Sequence, residues 1–394
     1  MRHSSFINMS RGYMCQSKVL LIYSLALFWL CTANGVLATV TLIRGSVVND
    51  LYRHKPLTTF DPKRKTVGIV TVPISKKLAG RIADQFSGCK ECQEQFNDML
   101  EHSGKLTFFP MSYAKWVSQH KVNVVPIDVN MSIKKVRRAL SRLNGILLPG
   151  GSTPVYDHQF ERILIDIGIT SIKKKSQYTE RVKRIVDSVI TYNEKNPEEK
   201  IVIWGTCLGM EEMLLSKAND NFVFSDVVNK DENRKIEFID NDSAIKKFFS
   251  YTMNNSIFDA KYYFNHKYAL YVSQFNKNPE LKANFRVVAQ SYTKEPYPTK
   301  PIVAMIEHLT EPIYGVQFHP EKNRHESTVE TDQGTNTFNA VDRLGLFFVN
   351  KLSKPPKFND IEYWRRLYGN YFGYFVQKVS HYDEIVIFVN KAQI

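Results

Sequence analysis

One stretch, from Ile201 to Met213 (IVIWGTCLGMEEM), constrains the fold more than any other part of the chain. An apolar run rich in β-branched residues comes first, and Gly205, Cys207 and Gly209 lead from it into residues that favour a helix. Small residues beside a thiol allow a sharp turn and a close approach of substrate. We therefore predict a strand, a turn with the cysteine at its apex, and a helix whose N-terminus lowers the pKa of the Cys207 thiol.

A second motif, Pro312 to Glu321 (PIYGVQFHPE), is a β-type run that ends in His319, Pro320 and Glu321. A thiol nucleophile needs a base beside it, and the base needs an acceptor that orients it. Taken alone, Cys207 is equally a buried structural cysteine, and a lone histidine is more often a packing residue. Together the two motifs favour a triad of Cys207, His319 and Glu321, in which His319 also lowers the pKa of the thiol.

The third feature is a turn, Pro149-Gly150-Gly151, that follows the apolar run Gly145–Leu148. Two glycines at a strand end allow backbone N–H groups to point into a pocket. An acyl-transfer site needs such donors where negative charge develops on the carbonyl oxygen. An ordinary tight turn is the alternative interpretation.

These motifs carry a family resemblance. GTCLG at Gly205–Gly209 and QFHPEK at Gln317–Lys322 resemble the class I glutamine amidotransferases, and with PGGS at Pro149–Ser152 the finer pattern is similar to the γ-glutamyl hydrolases. The resemblance extends from about Lys65 to about Leu352. It implies a cysteine hydrolase that cleaves the γ-glutamyl bonds of folylpoly-γ-glutamates and related poly-γ-glutamyl compounds through a thioester. We expect neither a cofactor nor a metal ion.

The resemblance also implies roles for residues around the triad. One oxyanion donor would come from Gly150 or Gly151, between which the sequence does not choose, and the other from the N–H of Leu208. Glu211 could face the substrate, or it could be a carboxylate that merely occupies the first helical turn. His266 could support the site, or it could be a packing histidine.

Apolar β-type runs alternate with segments of helical periodicity along the chain. We predict strands at Thr66–Val72, Val122–Ile127, Gly145–Leu148, Ile201–Trp204, Phe285–Gln290, Ile302–Ile306 and Tyr314–Phe318, and helices at Ser112–His120, Ser132–Arg142, Gln177–Lys195 and Asn339–Leu352. Ile74–Lys105 is predicted to be irregular, and Phe222–Lys261 to form surface strands and loops. The alternation predicts an α/β fold: a doubly wound, mostly parallel, flavodoxin-like sheet with helices on both faces. All three motifs then share the edge formed by the carboxyl ends of the strands.

Residues 1–38 have the pattern of a secretory signal. Basic residues precede the apolar run Val19–Ala33, and small residues follow it. A retained signal anchor that continues through Ile43 is the alternative. Three Asn-x-Ser sites agree with a secretory route and glycosylation: Asn130, Asn241 and Asn254. We expect a lysosomal, vacuolar or extracellular protein with no membrane association after signal cleavage.

The cysteines fit the same route. Cys15 and Cys31 would leave with the signal, which leaves Cys89, Cys92 and Cys207. Cys89 and Cys92 (CKEC) can pair in an oxidising compartment, although the two-residue spacer makes a tight loop. The sequence does not decide whether this disulfide forms. Cys207 is then an odd thiol, which in a secreted protein suggests reactivity.

Beyond the signal we predict a leader at 39–64, the hydrolase-like domain at 65–352 and an aromatic-rich extension at 353–394. The extension contains a predicted strand, Ile385–Val389, and we expect it to pack against the domain or a partner. The sequence assigns it no function.

The chain is basic, with a net charge of +14. It shows neither a nucleic-acid motif nor a dense basic patch with stacking aromatics, so we expect no nucleic-acid partner. A small polyanionic substrate would be attracted by the positive potential. Two alternatives remain, a glutaminase domain that delivers ammonia to a synthase and a non-catalytic protein that binds γ-glutamyl compounds. The secretory signal argues against the first and the complete triad against the second. The oligomeric state stays open, with a homodimer as one option.

Overall fold

A computed structural model describes residues 41–43, 60–84, 90, 93–94, 96–97, 101, 106–157, 174–218, 223–252, 259–292, 300–353, 361–368 and 371–390. Several predictions fall outside these residues: the secretory signal at 1–38, its anchor alternative apart from Thr41–Ile43, most of the leader at 39–64, and the positions Cys15, Cys31, Cys89, Cys92 and Asn254.

The described residues form strands and helices in alternation. The strands are β1 Thr41–Ile43, β2 Thr66–Val70, β3 Val72–Pro73, β4 Thr107–Pro110, β5 Asn123–Ile127, β6 Gly145–Leu148, β7 Val202–Thr206, β8 Ser225–Arg234, β9 Glu237–Phe238, β10 Tyr262–Ala269, β11 Phe285–Tyr292, β12 Pro301–His308, β13 Ile313–Val316, β14 Tyr371–Val379 and β15 Tyr382–Asn390. The helices are α1 Lys76–Asp84, α2 Met111–Ser118, α3 Ile133–Leu140, α4 Gln177–Lys195, α5 Leu208–Lys217, α6 Ala244–Thr252, α7 Val272–Lys277, α8 Pro279–Asn284, α9 Lys322–His325, α10 Thr335–Lys351 and α11 Ile361–Leu367.

The central sheet has the strand order β5-β2-β6-β7-β13-β12-β11-β9. The first five strands in this order run parallel, and the last three continue the sheet in antiparallel fashion. Every residue of β2, β5 and β7 is buried, as expected for parallel strands covered on both faces. The predicted α/β fold with a mostly parallel sheet is confirmed.

Two neighbouring residues of β7 show that helices cover both faces of this sheet. The ring of Trp204 lies 5.5 Å from that of Trp116 on α2 and 5.9 Å from that of Phe348 on α10. Successive strand residues face opposite sides, and a Cβ on Gly205 would lie 2.5 Å from the Met213 side chain on α5. The helices α2 and α10 therefore pack on one face and α5 on the other.

Residues of the extension complete a second sheet, of order β1-β14-β15-β4-β3. Strand β15, which contains the predicted strand Ile385–Val389, pairs with β4, and Phe388 stacks on Phe109 at 5.5 Å. Trp364 on α11 is fully buried, and the hydroxyl of Tyr368 donates to the carbonyl of Pro126. The extension thus packs against the domain, as expected, while the boundary at residue 352 stays a prediction.

Two segments differ from the prediction. Ile74–Lys105 contains helix α1, whose residues Leu78, Ala79, Ile82 and Ala83 are buried, and Phe222–Lys261 contains helix α6 beside its strands. In both, polar residues outnumber apolar ones, so the short buried stripe of the helix was hidden by the composition of the segment. No helix in the described part of the chain combines the length and apolar character needed to cross a bilayer.

Candidate active site

Cys207 stands at the sharp turn between β7 and α5. Its backbone has φ 51° and ψ −111°, a conformation that costs a non-glycine residue about 1–3 kcal/mol. The turn is held because the N–H of Cys207 donates to the carbonyl of Val316 at 2.7 Å. A Cβ on Gly209 would lie 2.1 Å from the carbonyl oxygen of Leu148, so only glycine fits there. The predicted strand–turn–helix is confirmed.

Strand β13 places the second motif beside the thiol. It runs parallel to β7 with Val316 opposite Thr206, so the chain leaves β13 alongside Cys207. The side-chain amide nitrogen of Gln317 (Nε2) lies 3.8 Å from Cys207 Sγ and donates to Glu211 Oε1 at 2.9 Å. Gln317 therefore joins the thiol to a carboxylate in the first turn of α5.

His319 and Glu321 form a close pair. His319 Nδ1 lies 2.8 Å from Glu321 Oε1, and both side chains are buried. A Cβ on Gly150 would lie 2.7 Å from His319 Cε1 and 3.3 Å from Cys207 Cβ. The imidazole and the Cys207 side chain thus border the same glycine, and a methyl group at that position would collide with the imidazole.

Tyr113, on α2, connects this glycine to the imidazole. Its hydroxyl accepts the N–H of Gly150 at 2.8 Å and lies 3.4 Å from His319 Nδ1. Among the described residues, the N–H of Gly151 has no hydrogen-bond partner. Tyr113 belongs to no motif that the sequence analysis recognised, because a tyrosine on a buried helix face looks like any other core aromatic.

The electrostatics of the thiol differ from the prediction. Burial raises the pKa of Cys207 well above its ordinary value, and the Glu211 carboxylate raises it further, while the N–H of Leu208 acts in the opposite direction. The predicted lowering is therefore wrong, because the helix N-terminus does not outweigh the loss of water around the sulfur.

Glu211 is buried and engaged rather than merely placed on a helix. Burial raises the pKa of Glu211 from 4.5 to about 7, although the hydrogen bond from Gln317 opposes this shift. Glu211 does occupy the first turn of α5, and its contact with a substrate stays a prediction. Its carboxyl group lies one hydrogen bond from the amide that faces the thiol.

His266 lies on β10, next to Asn265. Its Nδ1–H donates to the carbonyl of Tyr268 at 2.7 Å, and burial lowers the pKa of His266 to about 3, so the ring stays neutral. His319 also lowers this pKa, which places the two imidazoles near each other. The neighbouring carbonyl of Asn265 accepts from the Cys207 thiol at 3.8 Å. Strand β10 therefore forms a wall of the site.

The turn between β14 and β15 covers the segment after His319. The ammonium group of the buried Lys322 donates to the carbonyl of His381 at 2.8 Å and lies 4.9 Å from the centre of the Tyr382 ring. Asp383 accepts from the N–H and hydroxyl of Ser327 at 2.7 and 2.9 Å. This contribution could not be predicted from the sequence because no local pattern indicates it. Within the described residues, no group of three or more His, Cys, Asp or Glu side chains could hold a metal ion.

Comparisons with known proteins show the family to which the chain belongs. The sequence pattern of the family Glutamine amidotransferase class-I matches residues 114–331. Gamma-glutamyl hydrolase B of Dictyostelium discoideum is 30% identical over 70% of this chain and 76% of its own length. Gamma-glutamyl hydrolases of Bos taurus and Homo sapiens are each 24% identical, over 75% and 66% of this chain and 87% and 74% of their own lengths.

Among solved structures, the glutaminase domain of Trypanosoma brucei CTPS matches with 16% identity and a TM-score of 0.40, over 74% of this chain and 97% of that one. The family pattern covers more than half of the chain, and the Dictyostelium relative is matched over more than two thirds of its length. The chain belongs to the γ-glutamyl hydrolase family within the class I glutamine amidotransferase-like superfamily.

Proposed function

We propose that this protein is a cysteine hydrolase that cleaves γ-glutamyl bonds, with folylpoly-γ-glutamates and related poly-γ-glutamyl compounds as substrates. The observation that carries the proposal is the convergence of Cys207, His319 and Glu321 at the ends of two paired parallel strands, in a chain whose relatives are named γ-glutamyl hydrolases. These are the groups that a thiol-based acyl transfer requires.

The reaction begins with proton transfer from the Cys207 thiol to His319, as the sulfur attacks the γ-carbonyl carbon. Glu321 accepts a hydrogen bond from Nδ1–H and thereby keeps Nε2 free to receive that proton. The imidazolium then gives the proton to the leaving amine, and a thioester remains on Cys207. Water, deprotonated by His319, then attacks the thioester, and the γ-glutamyl product leaves as a free carboxylate. The imidazolium returns its proton to the sulfur, which restores the thiol.

Two backbone N–H groups stabilise the negative charge on the carbonyl oxygen. Leu208 supplies one, because it follows the nucleophile at the start of α5. For the other, Gly151 is a better choice than Gly150, whose N–H already donates to Tyr113. Glu211 and His266 are proposed to border the bound γ-glutamyl group, since both lie around the thiol.

The proposal includes a secretory route, in which residues 1–38 are removed and the mature protein acts in a lysosome, a vacuole or outside the cell. Asn130 and Asn241 would be glycosylation sites on that route. Asn241 is exposed, whereas the side chain of Asn130 accepts a hydrogen bond from Arg181. We therefore expect glycan at Asn241 before Asn130.

The test is to incubate the purified protein with a pteroyl-γ-glutamate chain and to identify the products by mass, with Cys207→Ala as the control. We expect shortened pteroyl products together with glutamate or γ-glutamyl peptides, and none with the control. Ammonia from glutamine without chain cleavage would instead support a glutaminase. Binding without turnover would support a non-catalytic protein.

A further inference from the structure

Helix α1, which the sequence analysis did not predict, begins beside the oxyanion turn. The hydroxyls of Ser75 and Ser152 lie 3.2 Å apart, and the hydroxyl of Thr153 donates to the carbonyl of Pro73 at 3.2 Å. A Cβ on Gly151 would lie 3.0 Å from the Val72 side chain. The segment that leads into α1 is therefore fixed against the turn from which we propose an oxyanion donor.

The last turn of α1 contacts a second wall of the site. The guanidinium of Arg81 donates to the hydroxyl of Ser380, in the turn between β14 and β15. The next residue, His381, accepts the ammonium group of Lys322 through its carbonyl. Helix α1 thus spans the space between the oxyanion turn and the turn that covers the catalytic segment.

This space is rich in positive charge. Arg81 reaches the hydroxyl of Ser380, Lys322 donates to the carbonyl of His381, and Lys77 lies one helical turn before Arg81. In agreement with this, burial lowers the pKa of His381, Asp231 raises it, and the three cations lower it further. Asp231, the one carboxylate among these groups, already accepts from the Tyr263 hydroxyl and from Asn265.

Lys77 is the exposed member of the set. Among the described residues its ammonium group has neither a hydrogen bond nor an ion pair, whereas Lys115, under the neighbouring hairpin, is paired with Glu384 at 2.6 Å. Lys77 and Arg81 are four residues apart on α1, so their side chains lie on one helical face. Lys77 is therefore available to an anionic ligand that approaches the helical face it shares with Arg81.

We propose that Lys77 and Arg81, with the Ser380–His381 turn, form a carboxylate-binding subsite for a glutamyl residue next to the scissile bond. The inference rests on the proposed function and deepens it. Each residue of a γ-linked glutamate chain keeps a free α-carboxylate, so a chain that extends beyond the cleaved bond presents one negative charge per residue. The subsite binds one of these carboxylates through the two cationic side chains, and it thereby selects poly-γ-glutamyl chains over single γ-glutamyl compounds.

The experiment compares Lys77→Gln with Lys63→Gln, which removes the same charge from an exposed lysine just before β2, at the opposite edge of the sheet. For a substrate with a further glutamate next to the scissile bond, Lys77→Gln should raise KM about 3- to 10-fold with kcat unchanged. The control should leave both constants unchanged. Replacing the α-carboxylate of that further glutamate by a carboxamide should raise the KM of the wild type at least as much, and that of Lys77→Gln by less, because only Arg81 remains to lose its contact there.

A binding measurement separates this inference from the proposed function. Calorimetry on Cys207→Ala protein, with and without Lys77→Gln, reports the affinity for the same poly-γ-glutamate without turnover. A carboxylate-dependent loss with Lys77→Gln supports the subsite even if the wild type hydrolyses nothing. Equal affinities, an equal loss with the carboxamide ligand, or no binding at all would overturn it.

Discussion

The catalytic centre is built from two regions that differ in how their sequences encode them. The ends of β6, β7 and β13 supply the thiol, the imidazole, its carboxylate and the glycines, all within short motifs. The β14–β15 turn supplies a carbonyl, and the start of β15 supplies a ring and a carboxylate, all of which contact the segment after Glu321 and come from a stretch without any motif. The reactive groups require fixed residue types at fixed spacing, which a sequence motif records. The groups that surround them are brought to the site by strand pairing, which leaves no motif.

The two regions meet at Lys322. A buried ammonium group is stable only with partners, and Lys322 finds them in the His381 carbonyl and the faces of Tyr382 and Tyr263. Since Lys322 follows Glu321 directly, the C-terminal turn holds the end of the catalytic segment in place. In the proposed mechanism the first region performs the chemistry, and the second holds the first in place.

The largest effects should come from the first region. Cys207→Ala and His319→Ala should each lower kcat by about 10⁴-fold or more, and Glu321→Gln should be about 100-fold less severe, because it orients His319 without taking the proton. Steady-state kinetics on a γ-glutamyl substrate measures the ranking. Glu321→Gln as damaging as Cys207→Ala would show that the carboxylate does more than orient.

Glu211, in the first region, should lower the free energy of unfolding at neutral pH because its carboxyl group is buried. Because its pKa is raised from 4.5 to about 7, the folded state holds a proton that the unfolded chain has lost, and stability falls as the pH rises through that window. Glu211→Gln removes this penalty. The free energy of unfolding of the variant minus that of the wild type should therefore be larger at pH 8 than at pH 4.5, by up to about 3 kcal/mol. Urea unfolding at both pH values is the measurement, and an unchanged difference would contradict the account.

A substitution in the second region should lower both the free energy of unfolding and kcat, with a smaller effect on kcat than the triad variants. Asp383→Ala removes the acceptor of two hydrogen bonds from Ser327, so we expect a loss of about 1–3 kcal/mol in the free energy of unfolding. We also expect kcat to fall, by less than with any triad variant. Asp242→Ala, which removes an exposed partner of Lys247, is the matched control and should change neither quantity. An unaltered kcat in Asp383→Ala would separate the turn from catalysis.

The smallest effect concerns the overall charge of +14. The Debye length falls from about 10 Å at 0.1 M salt to about 3 Å at 1 M, so long-range attraction of polyanions is screened. The kcat/KM for long γ-glutamyl chains should fall a few-fold over this range, and that for single γ-glutamyl bonds should fall less. Equal salt sensitivity of the two substrates would remove the positive potential from the mechanism.

The same contrast explains what the sequence could predict. The strands around β7, and the placing of Cys207, His319 and Glu321 together at their ends, were predicted because periodicity and motif spacing are local properties. Tyr113, helix α1 and the β14–β15 turn were missed because their contribution depends on pairing across the fold, such as that of β15 with β4. The pKa of Cys207 was predicted in the wrong direction for a related reason, since burial is a property of the whole fold.

The central claim is that Cys207 is the nucleophile, and limited alkylation tests it most directly. A small alkylating reagent should label Cys207 in step with the loss of activity, and a γ-glutamyl ligand should slow both, as measured by peptide mapping after partial inactivation. Cys207 fully labelled with activity intact would contradict the account, and so would label accumulating on Cys89 or Cys92 while activity falls.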